Sequence, residues 1–276
     1  MPILGQGALS KMRTQLDTPV RYQLELGGAI IDMNTLLDKR IKLSYLGEIN
    51  CTHCGRKTKK SFSQGFCYPC FKKLPQCDVC IMSPEKCHFA AGTCRDSGWG
   101  EQHCFVPHVV YLSNSSGAKV GITRGTQVPT RWIDQGAIQA LPIFHVATRR
   151  QSGLIEAALR EHITDRTNWR NMLKGAVEPV SLTEVRDQLF DAAADALQAV
   201  RSESGEDQVQ PLKDGEVLDI TYPVVQYPTK VVTHNLDKTP VAEGTLLGIK
   251  GQYLILDTGV INIRKFTAYH VELSAD

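Results

Sequence analysis

All nine cysteines of this 276-residue chain fall between Cys51 and Cys104, and no other feature restricts its folding so severely. Cys51 and Cys54 are separated by two residues, as are Cys67 and Cys70, and twelve residues lie between the pairs. Each pair sets two thiolates on one tight turn, and two such turns complete a tetrahedron around Zn²⁺. Gly55 follows the second ligand, where the chain must bend back sharply. A redox-active reading of the pairs would need a helix in a βαβ context, which the neighbouring residues do not supply. The expectation is a structural zinc contributing on the order of 10 kcal/mol to folding.

A second cluster follows, with Cys77 and Cys80 again two residues apart, then Cys87, His88, Cys94, His103 and Cys104. Tetrahedral zinc takes four ligands, so this set has spare members. Cys77 and Cys80 read as the firm pair, completed by two of Cys87, Cys94 and Cys104, for one or two zinc ions in all. Apolar periodicity is weak between residues 51 and 104, so metal must stand in for a core there. Beside the first set, Arg56, Lys57, Lys59 and Lys60 on one side and Lys72 and Lys73 on the other enclose Phe62, Phe66, Tyr68 and Phe71. Cations pair with phosphates while rings stack on bases, which suggests a nucleic-acid surface. The competing reading is a solvated turn with its rings packed beneath it.

Hydrophobic residues at 42% and charged residues at 22% describe a globular chain. A net charge of +2 does not announce nucleic acid by itself, so any basic surface must be local. The amino terminus lacks a cationic patch followed by an apolar run, and no stretch reaches the ~20 apolar residues of a membrane span. The expectation is a cytoplasmic chain whose thiols bind metal, with no membrane partner.

Four segments are expected: residues 1–48 as an amino-terminal β segment, 51–107 as the cysteine-rich region, 108–203 as an α/β domain, and 209–276 as a β-rich domain pairing with 1–48. Residues 20–26 alternate as a strand. The clearest helix runs from Ser181 to about Arg201, with Ser181 and Glu184 as a capping box and Leu182, Val185, Leu189, Ala193, Leu197 and Val200 along one face. Residues 202–208 read as a polar linker. Beyond them, strands are expected around residues 217–222, 230–234, 244–249, 252–256 and 260–266. No internal repeat is visible.

Val109 to Thr123 reads as a β-hairpin. With Gly117 at positive φ in a three-residue loop, Asn114 pairs with Ala118, and Val110 and Leu112 lie opposite Ile122 and Val120. Tyr111 and Lys119 then become diagonal neighbours on the other face. Pro129 opens a short helix carrying Arg131, and a further helix beginning near Gly153 carries Glu156 with Leu154, Ala158 and Leu159 inward.

This order, across roughly Val109 to Leu173, resembles the GIY-YIG nuclease domain. Val110 and Tyr111 stand where its first signature sits, and Lys119, Val120 and Gly121 where its second does. Arg131 and Glu156 match the family's arginine and metal-binding glutamate, while Lys119 or Val120 replaces its second tyrosine. Asn168 or Asn171 stands for its late asparagine. The resemblance implies an endonuclease in which Glu156 holds Mg²⁺, Tyr111 takes a proton with its pKa lowered by Lys119, and Arg131 stabilises charge on phosphorus.

Nearly the whole chain also resembles a bacterial family of uncharacterised proteins, through Cys77 to Cys80, Pro84 to His88, Gly92 to Arg95, Lys119 to Arg124, Arg131 to Ala137 and Gly248 to Tyr253. The combined expectation is an α+β protein with a zinc ribbon or knuckle region, a small antiparallel GIY-YIG-like sheet with helices, and a β-rich domain from both termini. Its expected function is zinc-containing nucleic-acid binding with possible phosphodiester cleavage; the alternative is a non-catalytic nucleic-acid binder or protein-interaction adaptor on the same scaffold.

Overall fold

A computed structural model describes the whole chain, Met1–Asp276. In chain order the strands and helices before the hairpin are β1 (Ile3–Ala8), β2 (Arg13–Gln15), β3 (Arg21–Leu26), β4 (Ala29–Asp32), β5 (Arg40–Ile49), α1 (Tyr68–Lys73), α2 (Val79–Met82) and α3 (Ser97–Cys104). The middle of the chain supplies β6 (His108–Asn114), β7 (Ala118–Arg124), α4 (Thr130–Asp134), β8 (Gln139–Val146), α5 (Arg149–Leu159), α6 (Trp169–Leu173), α7 (Leu182–Ala192) and α8 (Ala194–Ser204). The remainder is β9 (Val209–Pro211), β10 (Leu218–Asp219), β11 (Val241–Lys250), β12 (Tyr253–Leu256), β13 (Gly259–Asn262) and β14 (Tyr269–Ala275). The protein is mixed α+β, and its sheets are antiparallel.

The largest sheet runs β1-β14-β5-β11-β12-β13 and is built from both ends of the chain. Its centre is the β5–β14 pair, where Leu43 faces Leu273. Those two leucines occupy equivalent places in an internal duplication. In the first half, a hairpin leads to a 3₁₀ turn at Met33–Leu36, a left-handed residue at Asp38 (φ 62°) and then β5. In the second half, the β12–β13 hairpin leads to a 3₁₀ turn at Ile263–Phe266, a left-handed residue at Ala268 (φ 78°) and then β14. Asp32 caps the first turn and Asn262 the second.

The contacts between halves are also reciprocal. The amide of Asp38 donates to Leu246 and that of Leu246 to Lys39; the amide of Ala268 donates to Leu9 and that of Leu9 to Tyr269. Each half therefore supplies the edge partner for the other's last strand: β1 pairs with β14, and β11 with β5. The expectation of no repeat is corrected. The correspondence lies in residue class and backbone conformation (Leu36 with Phe266, Ile41 with Val271) and few identities survive.

The strand expected over residues 20–26 is present as β3, but it does not join this large sheet. It lies in a separate three-stranded sheet, β2-β3-β4. The second large sheet runs β10-β8-β6-β7, with β9 also on β8. Residues 209–219 thus extend the sheet of the middle segment. Residues 230–234 form only an isolated bridge, Thr233 with Val260, because prolines at 228 and 240 and open turns interrupt the ladder.

One core of buried side chains joins both termini to Tyr111, Trp132 and Ile133. A second lies between the β6–β8 sheet and the helices, with Val110, Leu112, Val120, Ile155, Leu159 and Leu189. The helix from Ser181 loosens at Ala193 (φ −104°, ψ 14°), giving α7 and α8 with the apolar stripe still continuous. The helix bearing Glu156 starts at Arg149, earlier than Gly153, because Thr148 and Gln151 form a reciprocal capping box.

Leu43 and Leu273 are buried to within 1% exposure at the centre of the duplication. Leu43→Ala and Leu273→Ala should each destabilise the protein by about 2–5 kcal/mol. Because the two side chains adjoin, the double variant should depart from additivity by about 0.5 kcal/mol or more in urea denaturation.

Candidate metal centre and candidate active site

The first cysteine set is brought together by two tight turns. Gly55 donates to the Cys51 carbonyl at 2.8 Å with φ 71°, and Cys51 donates to the Arg56 carbonyl at 2.9 Å. The second turn is held by the Phe62 and Phe66 amides, which donate to each other's carbonyls, and it delivers Cys67 to the N-terminus of α1, one turn before Cys70. The four sulfurs lie within 4.8 Å of one another, and those of Cys54 and Cys67 are 3.7 Å apart. A tetrahedron of Zn–S bonds near 2.3 Å has edges of roughly 3.8 Å, so the set fits zinc.

The electrostatics point the same way. Burial works against a Cys51 thiolate, yet amide groups of Cys67, Cys54 and His53 outweigh it and bring the thiol down to about 6. Burial and the adjacent sulfurs of Cys67, Cys54 and Cys51 push Cys70 up to about 12. Four sulfurs this close cannot all ionise unless a cation sits among them.

Arg56, Lys57, Lys59 and Lys60 are all exposed beside this set. The rings of Phe62, Phe71 and Tyr68 pack on one another at 5.5–6.5 Å, with Lys60 over Phe62 at 5.3 Å. Tyr68 keeps an open face at 56% exposure.

The β6–β7 hairpin has the expected register: Asn114 opposite Ala118, Leu112 opposite Val120 and Val110 opposite Ile122. Tyr111 stands opposite Gly121, and any side chain at 121 would meet the phenol ring at 2.8 Å. Glycine there lets the ring lie flat across β7 toward Lys119. The Tyr111 hydroxyl donates to Gln135 Oε1 at 2.9 Å, and the Lys119 ammonium donates to the same oxygen at 3.1 Å. Arg131 and Glu156 are near enough to act electrostatically on both Tyr111 and Lys119. Tyr111 and Lys119 therefore meet at Gln135, with Arg131 and Glu156 within electrostatic reach.

Arg131 is held there by the duplicated β domain. Asp134, on the same short helix, accepts from Lys11 Nζ and Gln252 Nε2, each at 2.8 Å. Gln252 itself brackets Met12, accepting from its amide and donating to its carbonyl. Arg131 also adds to a cationic field shared with Arg149 and Arg264, and Arg264 donates to Gln64 beside the first cysteine set.

The charge states depart from expectation. Burial raises the Tyr111 pKa, and Arg131 only partly offsets it, so the phenol is harder to ionise than usual. The expected lowering by Lys119 is corrected, because a fully enclosed ring loses more solvation than a neighbouring charge returns. Burial, aided by Arg131, brings Lys119 down to about 8. Burial also lifts Glu156 to about 7, with Arg160 opposing and Asp165 and Glu85 adding.

Gln135 was not foreseen, since a glutamine after a short helix carries no motif. His145 and His162 are exposed, and the Asn168 side chain caps α6 by accepting from the Asn171 amide.

Within the later cysteines, Cys80, Cys87, Cys94 and Cys104 line one pocket, which Cys77 does not. Asp78, Cys80 and His88 also lie within 4.8 Å of one another. No helix is long and apolar enough to cross a membrane.

Fold and site together define an α+β protein with a four-cysteine cluster able to hold a metal. The chain belongs to the DUF2797 family of proteins of unknown function, matched over residues 38–271. No curated protein and no solved structure gave a match.

Cys54→Ser and Cys67→Ser should each remove one bound metal ion per chain by elemental analysis. A strong chelator should lower the melting temperature of the wild type far more than that of either variant. An unchanged wild-type melt after verified metal removal would show that these cysteines hold no structural metal.

Proposed function

We propose that this protein is a metal-dependent phosphodiesterase acting on nucleic acid, with a structural zinc at Cys51, Cys54, Cys67 and Cys70. The observation that carries this reading is the meeting of Tyr111 and Lys119, from β6 and β7, at the Gln135 side chain, with Arg131 of α4 and Glu156 of α5 within electrostatic reach of both. A lysine on the hairpin with an arginine and a carboxylate on the helices beside it match the needs of phosphoryl chemistry: a proton acceptor, a cation for the developing charge and a metal ligand. The order of these residues also supports a GIY-YIG-like scaffold.

Glu156 would hold a Mg²⁺ ion, which supplies Lewis acidity toward a phosphate oxygen when bound. Arg131, with Arg149 and Arg264 behind it, draws a phosphate toward the hairpin. Lys119, with its pKa near 8, is the group able to take a proton from the attacking water. Tyr111 stays protonated, and its hydroxyl shares the Gln135 oxygen with the Lys119 ammonium, which fixes where the amine sits. The exposed Arg56, Lys57, Lys59 and Lys60 and the open face of Tyr68 would extend the grip along the strand.

A second reading has its own observation. Tyr111 is fully enclosed and Lys119 only 3% exposed. A scaffold that binds nucleic acid through the basic cysteine region, with this cluster serving only to hold the hairpin, would look the same in those two respects.

Two experiments separate the readings. Glu156→Ala should abolish Mg²⁺-dependent cleavage while leaving nucleic-acid affinity intact; absence of cleavage by the intact protein on single-stranded, duplex and branched DNA and RNA rejects the enzymatic reading. Cleavage should also rise with pH through about 8, as Lys119 loses its proton, and Lys119→Met should remove both activity and that rise. Separately, reversing the charges of Lys57, Lys59 and Lys60 should weaken binding and flatten its salt dependence by about 0.9 log unit per lost phosphate contact on duplex DNA. Unchanged affinity and slope would place the contact surface elsewhere.

A further inference from the structure

The residues from Pro75 to Phe105 have no sheet, and the helices they form are at most two turns long. Helices this short do not hold themselves in water. What they enclose is a small pocket bounded by Ile81, Phe89, Trp99 and Phe105, into which Cys80, Cys87, Cys94 and Cys104 all open. Its free space is about 20 Å³, room for one small ion or water and nothing larger.

Each thiol comes from a different piece of backbone. Cys80 lies in α2, Cys87 closes the 3₁₀ turn at Pro84–Lys86, Cys94 precedes α3, and Cys104 ends it. All four are free thiols. Their sulfurs are spread more widely than those of the first set, no three of the four lying within 4.8 Å of one another, so an ion in the single-ion space would draw four thiols, one per element, into a tetrathiolate.

We infer that Cys80, Cys87, Cys94 and Cys104 form a second zinc centre, from which Cys77 is excluded, and that this centre fixes the Pro84–Lys86 turn on the helix carrying Glu156. Cys77 sits at the end of a separate turn, Pro75–Cys77, and leans toward Ser63 and the first cysteine set. The rival trio of Asp78, Cys80 and His88 is less suited. Asp78 is already spent on the Arg95 guanidinium at 3.1 Å, the His88 ring at 3.4 Å and the Val79 amide at 2.7 Å. His88 holds Thr93 through Nδ1 at 2.8 Å. These two residues brace the shell around the sulfurs.

The coupling to the candidate active site is direct. Arg149, at the start of α5, donates to the carbonyl of Ile81, the neighbour of Cys80, at 2.6 Å. One turn on, Gly153 passes so close to the Pro84 turn that a Cβ would meet Pro84 at 2.6 Å and the Glu85 amide at 2.7 Å. Glu85, two residues before Cys87, pairs with Arg160 at 3.7 Å and adds to the field on Glu156. The second zinc thus sets the height of α5 over the hairpin. This positioning role rests on the proposed function, whereas the metal site itself does not.

Metal content and thiol accessibility of the purified full chain test the site without reference to activity. Elemental analysis should give two zinc ions per chain, and a thiol-alkylating reagent under native conditions should label Cys77 alone, with all nine cysteines labelled after chelation. Cys77→Ser should keep both ions; Cys94→Ser should keep one. One zinc in the wild type, native labelling of any of the four thiols, loss of an ion in Cys77→Ser, or loss of an ion in Asp78→Asn or His88→Ala would overturn the assignment. Because the wild-type measurements stand alone, a Cys94→Ser variant that fails to fold leaves the inference just as exposed. A nuclease that fails to cut would not disturb it, and two zinc ions would not establish cleavage.

Discussion

The antiparallel pairing of β5 with β14 is the contact on which the remaining architecture depends. It joins residues from the two ends of the chain, and Leu43 meets its own counterpart Leu273 across it. Everything between residues 50 and 240 is carried as an insertion within the duplicated β domain. Loop-closure entropy grows only with the logarithm of length, about 0.6 kcal/mol per doubling, so a long insertion costs little once the ladder is made. The insertion in turn is anchored at its middle: Gln252 and Lys11, one from each half, hold Asp134 and with it the helix of Arg131.

Where the chain lacks apolar periodicity, cysteine replaces it. The first set grips the tip that follows β5, and Ser61 and Gln64 tie that tip back to the second half through Thr267 and Arg264. The later cysteines surround a pocket against α5. Neither region buries enough hydrocarbon to offset its conformational entropy without a further crosslink.

The legible parts of the sequence were those with short-range geometry. Two thiols at fixed spacing and a hairpin with a glycine in its loop each determine their own shape, and the register of Val110, Leu112 and Asn114 follows from the three-residue loop together with the alternation. The duplication was not legible, because a 3₁₀ turn followed by a left-handed residue accepts Asp38 in one half and Ala268 in the other. The start of α5 is legible too, since Thr148 and Gln151 have capping-box spacing. Gln135 and Gln252 could not have been found: their roles arise from partners more than a hundred residues away or from a side-chain oxygen shared by two donors.

For the proposed chemistry it matters that residue 119 is a lysine and not a second tyrosine. Two buried phenols would both be driven upward in pKa by loss of solvent, leaving neither able to accept a proton near neutrality. A buried amine moves the opposite way, because burial penalises its charged form, and Lys119 reaches about 8. The same enclosure that makes Tyr111 a poor base makes Lys119 a usable one. Gln135 suits this division, since its carbonyl oxygen accepts from the phenol and the ammonium alike while adding no charge of its own. A carboxylate in its place would pair with Lys119 and hold its pKa up, removing the acceptor that the hairpin provides.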